Sequence, residues 1–341
     1  MAIVNTHYGF CAKGGAVPKF TYTGEYNVRD DGVVELLTSG TITFLSPAVI
    51  DIFCVGGGGR GGEVRAATQV PEASGEGYGG GGSGYTATRK NYNASGQYDI
   101  TIGQGSSQNS TTTKEQRGGT TSFGTVLSAL GGFSGYVNRE NTSGAKAKRS
   151  MQGREGGSGG GGGVTSNADF GAGGSDGGNG ENGYYSTYTP DGGGGQGVTT
   201  REFGESTGKL YAGGGGGGRY LNENTPIISA GGSGGGGSGA WGNRKFAQYQ
   251  PASAGGENTG GGGGGGVYYA KGANETTPIS YLSGAKGGSG IVCFREAQKL
   301  PELAGTWVLN ERLYAPESAI QQSINLLRQQ AVEHPAIVTR L

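Results

Sequence analysis

The feature that most constrains this chain is a set of long glycine runs in its middle. Of 80 glycines, 73 lie between Gly56 and Gly290. That is close to a third of the segment, against a usual glycine share of about 7%. Glycine is unfavourable inside an α-helix, by about 1 kcal/mol against alanine, and it weakens strand interiors. The middle of the chain therefore cannot be an ordinary domain built on a side-chain core.

The runs are similar in length and alternate with short segments that carry aromatic and polar residues. The main runs are Gly156–Gly163, Gly171–Gly183, Gly192–Gly197, Gly213–Gly218, Gly231–Gly239 and Gly260–Gly266. The inserts between them include residues 184–190, 219–230, 240–254 and 267–283. Flexible linkers are usually monotonous, so this alternation favours an ordered array.

Two arrangements are open to such runs. The first is a disordered linker, which is the usual behaviour of glycine-rich chains. The second is a lattice of polyglycine-II helices, which are extended, have three residues per turn and make no internal hydrogen bonds. Helices without Cβ atoms can approach closely and satisfy their backbone groups by bonding to one another. We favour the lattice because the runs are matched in length and separated by aromatic residues.

Strand patterns precede the glycine-rich middle. Strands are expected at Phe20–Gly24, Val33–Leu37, Thr41–Leu45 and Val49–Val55, with Ser46-Pro47 breaking the chain before the last of them. Within that last strand, Ile50, Ile52 and Cys54 share one face, and the residues between them share the other. This pattern indicates a mostly buried strand.

Further elements are expected on both sides of residue 131. The segments Gly84–Thr88 and Tyr98–Ile102 are expected to pair antiparallel, and Thr120–Phe123 is expected to pair with Thr125–Ser128. Ile291–Phe294 and Gly305–Asn310 are expected strands, and a short C-terminal helix is expected after Pro316, with Ile320, Ile324 and Leu327 on one face.

The predicted fold is therefore mainly β, with a polyglycine-II helix lattice and little α-helix. An N-terminal β-sheet or sandwich is followed by the stacked glycine-rich helices. The predicted divisions are an attachment arm (1–19), a β-strand-rich domain (20–130), the lattice with its aromatic inserts (131–290), and closing strands with a short helix (291–341).

The composition argues against several functional classes. The 26 basic and 26 acidic residues balance, so no nucleic-acid partner is expected. No apolar run is long enough to insert into a membrane. The only histidines, His7 and His334, lie at opposite ends of the chain, and phosphate-loop and dinucleotide motifs lack their required context. We expect no enzyme activity, no catalytic residues, no cofactor and no metal.

The three cysteines are widely spaced, at Cys11, Cys54 and Cys293. This spacing gives neither a disulfide framework nor a metal-binding pattern. Cys54 and Cys293 lie inside apolar, strand-like segments, so both are interpreted as small buried hydrophobic residues.

Seven segments between residues 20 and 313 carry a resemblance to a known family. They are Thr38–Phe44, Ile50–Gly59, Tyr98–Gly103, Gly118–Phe123, Thr199–Gly204, Gly287–Val292 and Thr306–Asn310. In combination these segments resemble glycine-rich tail proteins of phages and prophages, especially those of gut Firmicutes. After Asn310 the chain departs from that pattern, because the family continues with strands and this sequence looks helical.

In composition only, the glycine-rich block is similar to the polyglycine-sandwich adhesins of T-even phage fibre tips. In those adhesins, stacked polyglycine-II helices carry variable aromatic loops that contact host receptors. The resemblance implies a virion protein of the tail fibre or tail tip that acts outside the cell. It also implies a host-surface receptor, contacts with other tail or fibre proteins, and a possible homotrimer.

The aromatic residues of the inserts are the candidate receptor-binding set. Aromatic rings offer large contact areas with few rotatable bonds, which suits sugar or protein surfaces. The candidates are Tyr184, Tyr185, Tyr188, Tyr220, Trp241, Phe246, Tyr249, Tyr268, Tyr269 and Tyr281. An alternative interpretation is that these rings only cover the ends of the lattice and shield it from water.

Three functions are consistent with these features. The first is a receptor-binding tail-fibre adhesin that recognises a host glycan or protein. The second is a purely structural virion or fibre protein without a ligand. The third is an ice-binding protein built on polyglycine-II helices, against which the bulky inserts argue.

Overall fold

A computed structural model describes residues 5–7, 17–64, 76–111, 114–138, 151–163, 171–183, 191–221, 228–243, 248–269, 280–297 and 325. Residues 1–297 form one compact unit and residues 298–341 form another. The predicted strand at Gly305–Asn310 lies outside the described residues. Of the predicted C-terminal helix, only Asn325 is described, and its conformation is helical. The predicted domain boundaries stay predictions.

The first unit is mainly β with little helix, as predicted, and its described residues contain seventeen strands and a 3-10 turn at Glu202–Gly204. The strands are β1 (Asn5–His7), β2 (Phe20–Tyr22), β3 (Tyr26–Val28), β4 (Val34–Leu36), β5 (Gly40–Val55), β6 (Glu63–Val64), β7 (Glu76–Gly77), β8 (Thr86–Thr101), β9 (Thr121–Phe123), β10 (Leu127–Ala129), β11 (Val137–Asn138), β12 (Arg219–Leu221), β13 (Trp241–Asn243), β14 (Gln248–Gln250), β15 (Val267–Tyr269), β16 (Ser280–Leu282) and β17 (Ile291–Glu296).

Nine of these strands form one antiparallel sheet. Its order is β10-β9-β8-β5-β17-β4-β3, and β2 also pairs with β5 while β1 pairs with β2. The strand β17 comes from the far side of the glycine-rich middle, yet it pairs with both β4 and β5. The sheet therefore joins the two ends of the first unit.

The long strands β5 and β8 fold this sheet over itself. Their pairing shifts register between Phe44 and Ala48, and again between Ile50 and Ile52. The first half of β5 pairs with β2 and the second half with β17. Across the interior, the ring centroid of Phe44 lies 5.8 Å from that of Phe294 in β17. The two halves therefore form a sandwich around one side-chain core.

Two predictions about these strands are wrong. The Ser46-Pro47 pair does not end a strand, because β5 continues through it. Proline lacks an N–H group, and here it lies in a register shift where no ladder partner is required. Gly84–Thr88 and Tyr98–Ile102 do not pair with each other, because they lie at opposite ends of β8, which pairs with the equally long β5. The predicted hairpin around Gly124 is confirmed as β9 and β10.

The predicted alternation of faces in the second half of β5 is confirmed. Ile50, Ile52 and Cys54 lie in the sandwich core. Phe53 lies on the opposite face, in a second buried cluster that also contains Phe203. Both faces of this strand are therefore covered, which explains why apolar residues occupy both faces from Ile52 to Val55.

The second face is covered by residues 199–211, which we call the clasp. Arg29 of the sandwich forms an ion pair with Glu202 of the clasp at 2.8 Å. On the same face, Arg295 forms an ion pair with Glu205. The clasp thus attaches the glycine-rich middle to the sandwich through charged pairs as well as apolar contacts.

The glycine runs form hydrogen bonds to one another, and we call this array the lattice. Every third residue of the run from Gly56 to Gly62 donates to one neighbouring segment. The pairs are Gly56 to Tyr85, Gly59 to Gly82, and Gly62 to Gly79. Two other residues of this run, also three apart, donate to a different segment. Gly58 donates to Gly288, and Gly61 donates to Ala285. The donors therefore repeat with a period of three residues.

The same period occurs in runs from the other side of residue 131. The pairs Gly213 to Gly234, Gly216 to Gly237, and Arg219 to Ala240 join two parallel runs. A β-strand would send alternate donors to opposite sides, with a period of two. A period of three is the pattern that polyglycine-II helices require. The polyglycine-II assignment itself stays a prediction.

The close approach of the runs depends on the absence of side chains. A Cβ atom on Gly58 would lie 1.9 Å from the carbonyl oxygen of Gly261, and one on Gly214 would lie 1.9 Å from that of Gly159. Both distances are far shorter than any van der Waals contact. The interior of the lattice therefore consists of backbone, and glycine is required there by packing.

The lattice has two ends. At the near end the runs lead into the sandwich, because Gly56 follows β5, Gly84 leads into β8, and Gly290 precedes β17. At the far end the runs lead into β6, β12 and β15, which belong to three small sheets with the orders β11-β6, β12-β13-β14 and β16-β15-β7. The sandwich and the small sheets therefore lie at opposite ends of the runs.

Candidate functional site

Three of the four predicted inserts are anchored in the small sheets of the far end. Residues 219–230 begin with β12, residues 240–254 contain β13 and β14, and residues 267–283 contain β15 and β16. The fourth insert, 184–190, lies outside the described residues. The chain thus presents these three inserts where the runs end, away from the sandwich.

The sheet of β12, β13 and β14 continues two glycine runs. Its parallel pair, β12 and β13, extends the parallel runs that precede these strands. Trp241 is 6% exposed, and its indole N–H donates to the side-chain oxygen of Gln250 at 3.1 Å. Tyr249, on the edge strand β14, is 59% exposed. Tyr249 is the cross-strand partner of Gly242, so this sheet contains one buried and one exposed ring on opposite faces.

The sheet of β7, β15 and β16 has a similar arrangement. Tyr268 and Tyr281 are cross-strand partners, and their ring centroids lie 5.6 Å apart. Tyr268 is buried, whereas Tyr281 is 39% exposed. Burial raises the pKa of Tyr268 from its ordinary value of 10 to about 12.

Apolar side chains connect the two sheets. Tyr220, Ala240 and Val267 form a small buried cluster, against which Ala252 and Leu282 pack. The cluster lies where three runs leave the lattice, so it covers the ends of their backbones. The predicted covering role therefore applies to at least one of the candidate rings, Tyr220.

The ten predicted residues fall into four groups. Tyr220, Trp241 and Tyr268 are buried, and Tyr249 and Tyr281 are exposed. Tyr269 lies in β15, and its side chain is not described. Tyr184, Tyr185, Tyr188 and Phe246 lie outside the described residues. Among the candidates whose side chains are described, only Tyr249 and Tyr281 are in a position to contact a large ligand directly.

Sequence reasoning missed a cavity of about 550 Å³ in the side of the lattice. Its lining includes Glu115, Tyr136, Arg154 and Asp191. The Arg154 guanidinium forms an ion pair with Glu115 at 3.1 Å and lies 4.1 Å from the ring centroid of Tyr136. These residues are far apart in the sequence, and no motif links them, so only the folded backbone brings them together.

In the described ranges, no three His, Cys, Asp or Glu side chains are placed to share a metal ion. Cys54 and Cys293 are buried free thiols, as predicted, and Cys11 lies outside the described residues. No helix among the described residues has the length and apolar character that crossing a membrane requires.

No curated protein matches the chain. A family described as a glycine-rich domain matches residues 37–297, which is about three quarters of the sequence. The match begins in the sandwich, includes the whole lattice and ends after β17. The chain therefore belongs to the glycine-rich domain family.

Proposed function

We propose that this protein is a non-enzymatic component of a phage tail fibre or tail tip, and that its far end binds a glycan or protein on the host surface. The phage assignment rests on the seven segments that resemble phage and prophage tail proteins. The single observation that carries the binding role is the common location of the inserts. Three of the four are anchored at one end of the lattice, opposite the sandwich.

The far end has the properties of a preorganised contact surface. Tyr249 and Tyr281 are exposed on strands of two small sheets, and Tyr281 is also the cross-strand partner of the buried Tyr268. Rings held on ordered strands lose little conformational entropy on binding. The lattice is proposed to be a bundle of polyglycine-II helices that holds both sheets rigid.

The sandwich is proposed to face the rest of the virion. Its N-terminal segment reaches the bend of β5, where the Leu45 N–H donates to the carbonyl oxygen of Lys19 at 2.9 Å. Leu45 and Val49 at this bend are 52% and 42% exposed. Exposed apolar residues beside the predicted attachment arm suit contacts with other tail or fibre proteins, or with further copies in a homotrimer.

A purely structural protein is the second candidate. It is favoured by the burial of Tyr220, Trp241 and Tyr268, which cover the lattice instead of facing a ligand. In that case the exposed tyrosines have no receptor, and the purified protein should assemble into fibres whether or not they are present.

The test compares two double variants of the purified chain on isolated Firmicutes cell walls. Replacing Tyr249 and Tyr281 with alanine should lower wall binding about tenfold or more, as expected for central aromatic contacts. Replacing Leu45 and Val49 with alanine, at the bend of β5, is the matched control and should leave wall binding unchanged. Equal binding by both variants would contradict the proposed role of the far end.

A further inference from the structure

The cavity in the side of the lattice lies between two glycine runs. Gln152 and Arg154 come from the segment that leads into the run Gly156–Gly163, and Asp191 and Gly194 come from the start of the run Gly192–Gly197. The two runs are bonded to each other, because Gly153 donates to the Asp191 carbonyl oxygen at 2.8 Å. The walls of the cavity therefore belong to the rigid backbone of the lattice.

One glycine in this wall is not required by packing. A Cβ on Gly193 would lie 1.9 Å from the Arg154 carbonyl oxygen, and one on Gly195 would lie 2.1 Å from that of Gly177. A Cβ on Gly194 would meet nothing closer than the Glu155 side chain at 3.8 Å. The missing side chain at Gly194 leaves the cavity open. At Gly193 and Gly195, the missing side chain instead allows neighbouring segments to touch.

The cavity holds a fixed cationic donor. The side chain of Arg154 is only 10% exposed and is paired with Glu115. Its guanidinium also stacks on Tyr136, with Phe133 at 5.4 Å. A guanidinium presents five N–H donors in a rigid plane, and one ion pair does not use all of them. Arg154 can therefore donate into the cavity without reorganising.

The remaining polar groups are mostly acceptors. Glu155 and Asp191 line the cavity, and neither has a cationic partner within the described part of the chain. The amide of Gln152 donates to Asp191 at 3.5 Å. Since Arg154 balances Glu115, these two carboxylates leave a net negative charge. Such a lining suits hydroxyl and ammonium donors and disfavours anions.

We propose that this cavity binds a neutral or amine-bearing saccharide. Ring hydroxyls both donate and accept, so they can bond to the carboxylates and to Arg154 together. The volume lies within the usual range for small-molecule sites, and the polar lining distinguishes it from a mainly apolar pocket. This inference deepens the proposed function, because the choice of a glycan ligand rests on that function. It adds a second contact point to the one proposed at the exposed tyrosines.

The experiment is a solution titration of the full-length chain, followed by ligand-observed NMR, with three probes of the same ring. Glucosamine should bind most tightly, glucose more weakly, and glucuronic acid at least tenfold more weakly than glucosamine. The inference is overturned if neither glucose nor glucosamine binds in the millimolar range, or if glucuronic acid binds as tightly as glucosamine.

Two variants test the location of the site. Gly194→Leu should fill the cavity and lower glucosamine affinity at least tenfold, and Asp191→Asn should lower glucosamine affinity more than glucose affinity. Glu257→Gln is the control, because Glu257 is an 80% exposed carboxylate outside the cavity, and it should leave both affinities unchanged. If Gly194→Leu proves poorly folded, Asp191→Asn alone decides. Unchanged affinity in a folded Gly194→Leu, or equal effects of Asp191→Asn on both sugars, would overturn the assignment.

These outcomes are separable from those of the wall-binding test. If the exposed tyrosines are irrelevant to wall binding but glucosamine still binds at Gly194, the proposed function fails and the cavity assignment stands. If wall binding depends on the tyrosines but no sugar binds in solution, only the cavity assignment fails.

Discussion

The sandwich and the lattice have opposite kinds of interior. In the sandwich, rings such as Phe20, Phe44 and Phe294 meet across the core, with centroid distances of 5.4 Å and 5.8 Å to Phe294. In the lattice, backbone meets backbone, and a Cβ on Gly58 would lie 1.9 Å from a carbonyl oxygen. The sandwich interior excludes water with packed side chains. The lattice interior has no side chains, so its backbone amides can approach and bond to one another.

This difference predicts opposite responses to substitution. A core of side chains is weakened when a large residue becomes small, because a cavity remains. A core of backbone is weakened when glycine becomes any larger residue, because the runs can no longer touch. Substitutions in the two regions therefore test whether the comparison holds.

The largest effect is expected from Phe294→Ala in the sandwich. Removing a fully buried phenylalanine should lower the free energy of unfolding by about 3–5 kcal/mol. Leu45→Ala is the control, since Leu45 is 52% exposed, and should change it by less than about 1 kcal/mol. Denaturant titration measures both. Similar losses for the two variants would mean that Phe294 is not part of a side-chain core.

The next largest effect is expected from Gly193→Ala in the lattice. Its Cβ would lie 1.9 Å from the Arg154 carbonyl oxygen, so the two runs must separate. Overpacking together with weakened hydrogen bonds should lower the free energy of unfolding by about 3 kcal/mol.

The neighbouring substitution Gly194→Ala is a matched control for Gly193→Ala. It adds the same methyl group to the same run, but the nearest atom to its Cβ is 3.8 Å away. It should change the free energy of unfolding by about 0.5 kcal/mol or less. If both variants lose the same stability, the loss comes from glycine content and not from contact between runs, and the comparison fails.

Sequence reasoning succeeded where side chains carry the information. Alternation in residues 50–55 predicted the two buried faces of β5, because a strand exposes successive side chains to opposite sides. The turn at Gly124 predicted its hairpin. The continuity of β5 through Ser46-Pro47 could not be predicted, because it depends on a register shift against β8.

The lattice and the cavity show where such reasoning ends. The runs were recognised, but nothing in a glycine run specifies its neighbour, so the pairing of Gly56–Gly62 with both Gly79–Tyr85 and Ala285–Gly288 could not be predicted. For the same reason Gly194 looks like Gly193 in the sequence. Only the packing distances distinguish a glycine that touches another run from one that borders a cavity.

A smaller effect is expected at the clasp, where the two regions meet. Burial alone would raise the pKa of Glu205, but hydrogen bonds and charge from Arg295 and Lys90 outweigh it and hold the pKa below its ordinary value of 4.5. The ion pairs of Glu205 therefore stabilise the fold above about pH 4.5, and this contribution is lost as the pH falls through the folded-state pKa.

Glu205→Gln should accordingly lower the free energy of unfolding by about 1–2 kcal/mol at pH 7, and by less at pH 3. Glu257→Gln is the control, because Glu257 is 80% exposed and lies 3.9 Å from Lys286. Thermal unfolding at both pH values should show no pH-dependent difference between the control and the native chain. A Glu205→Gln loss that is equal at pH 7 and pH 3 would contradict the ionic role.

The smallest effect, and one of opposite sign, is expected at the far end. The hydroxyl of Tyr268 is buried and has no hydrogen-bond partner within the described residues. Tyr268→Phe removes this unsatisfied group, so it should raise the free energy of unfolding by about 0.5–1 kcal/mol.

The contrasting variant is Tyr211→Phe, because the Tyr211 hydroxyl donates to the Glu202 carboxylate at 3.2 Å. Tyr211→Phe should lower the free energy of unfolding by about 1.5 kcal/mol. Denaturant titration of the two variants side by side measures both signs. A loss of stability in Tyr268→Phe would show that this hydroxyl is bonded, and that the far end is held by polar contacts and not only by the rings that cover the lattice.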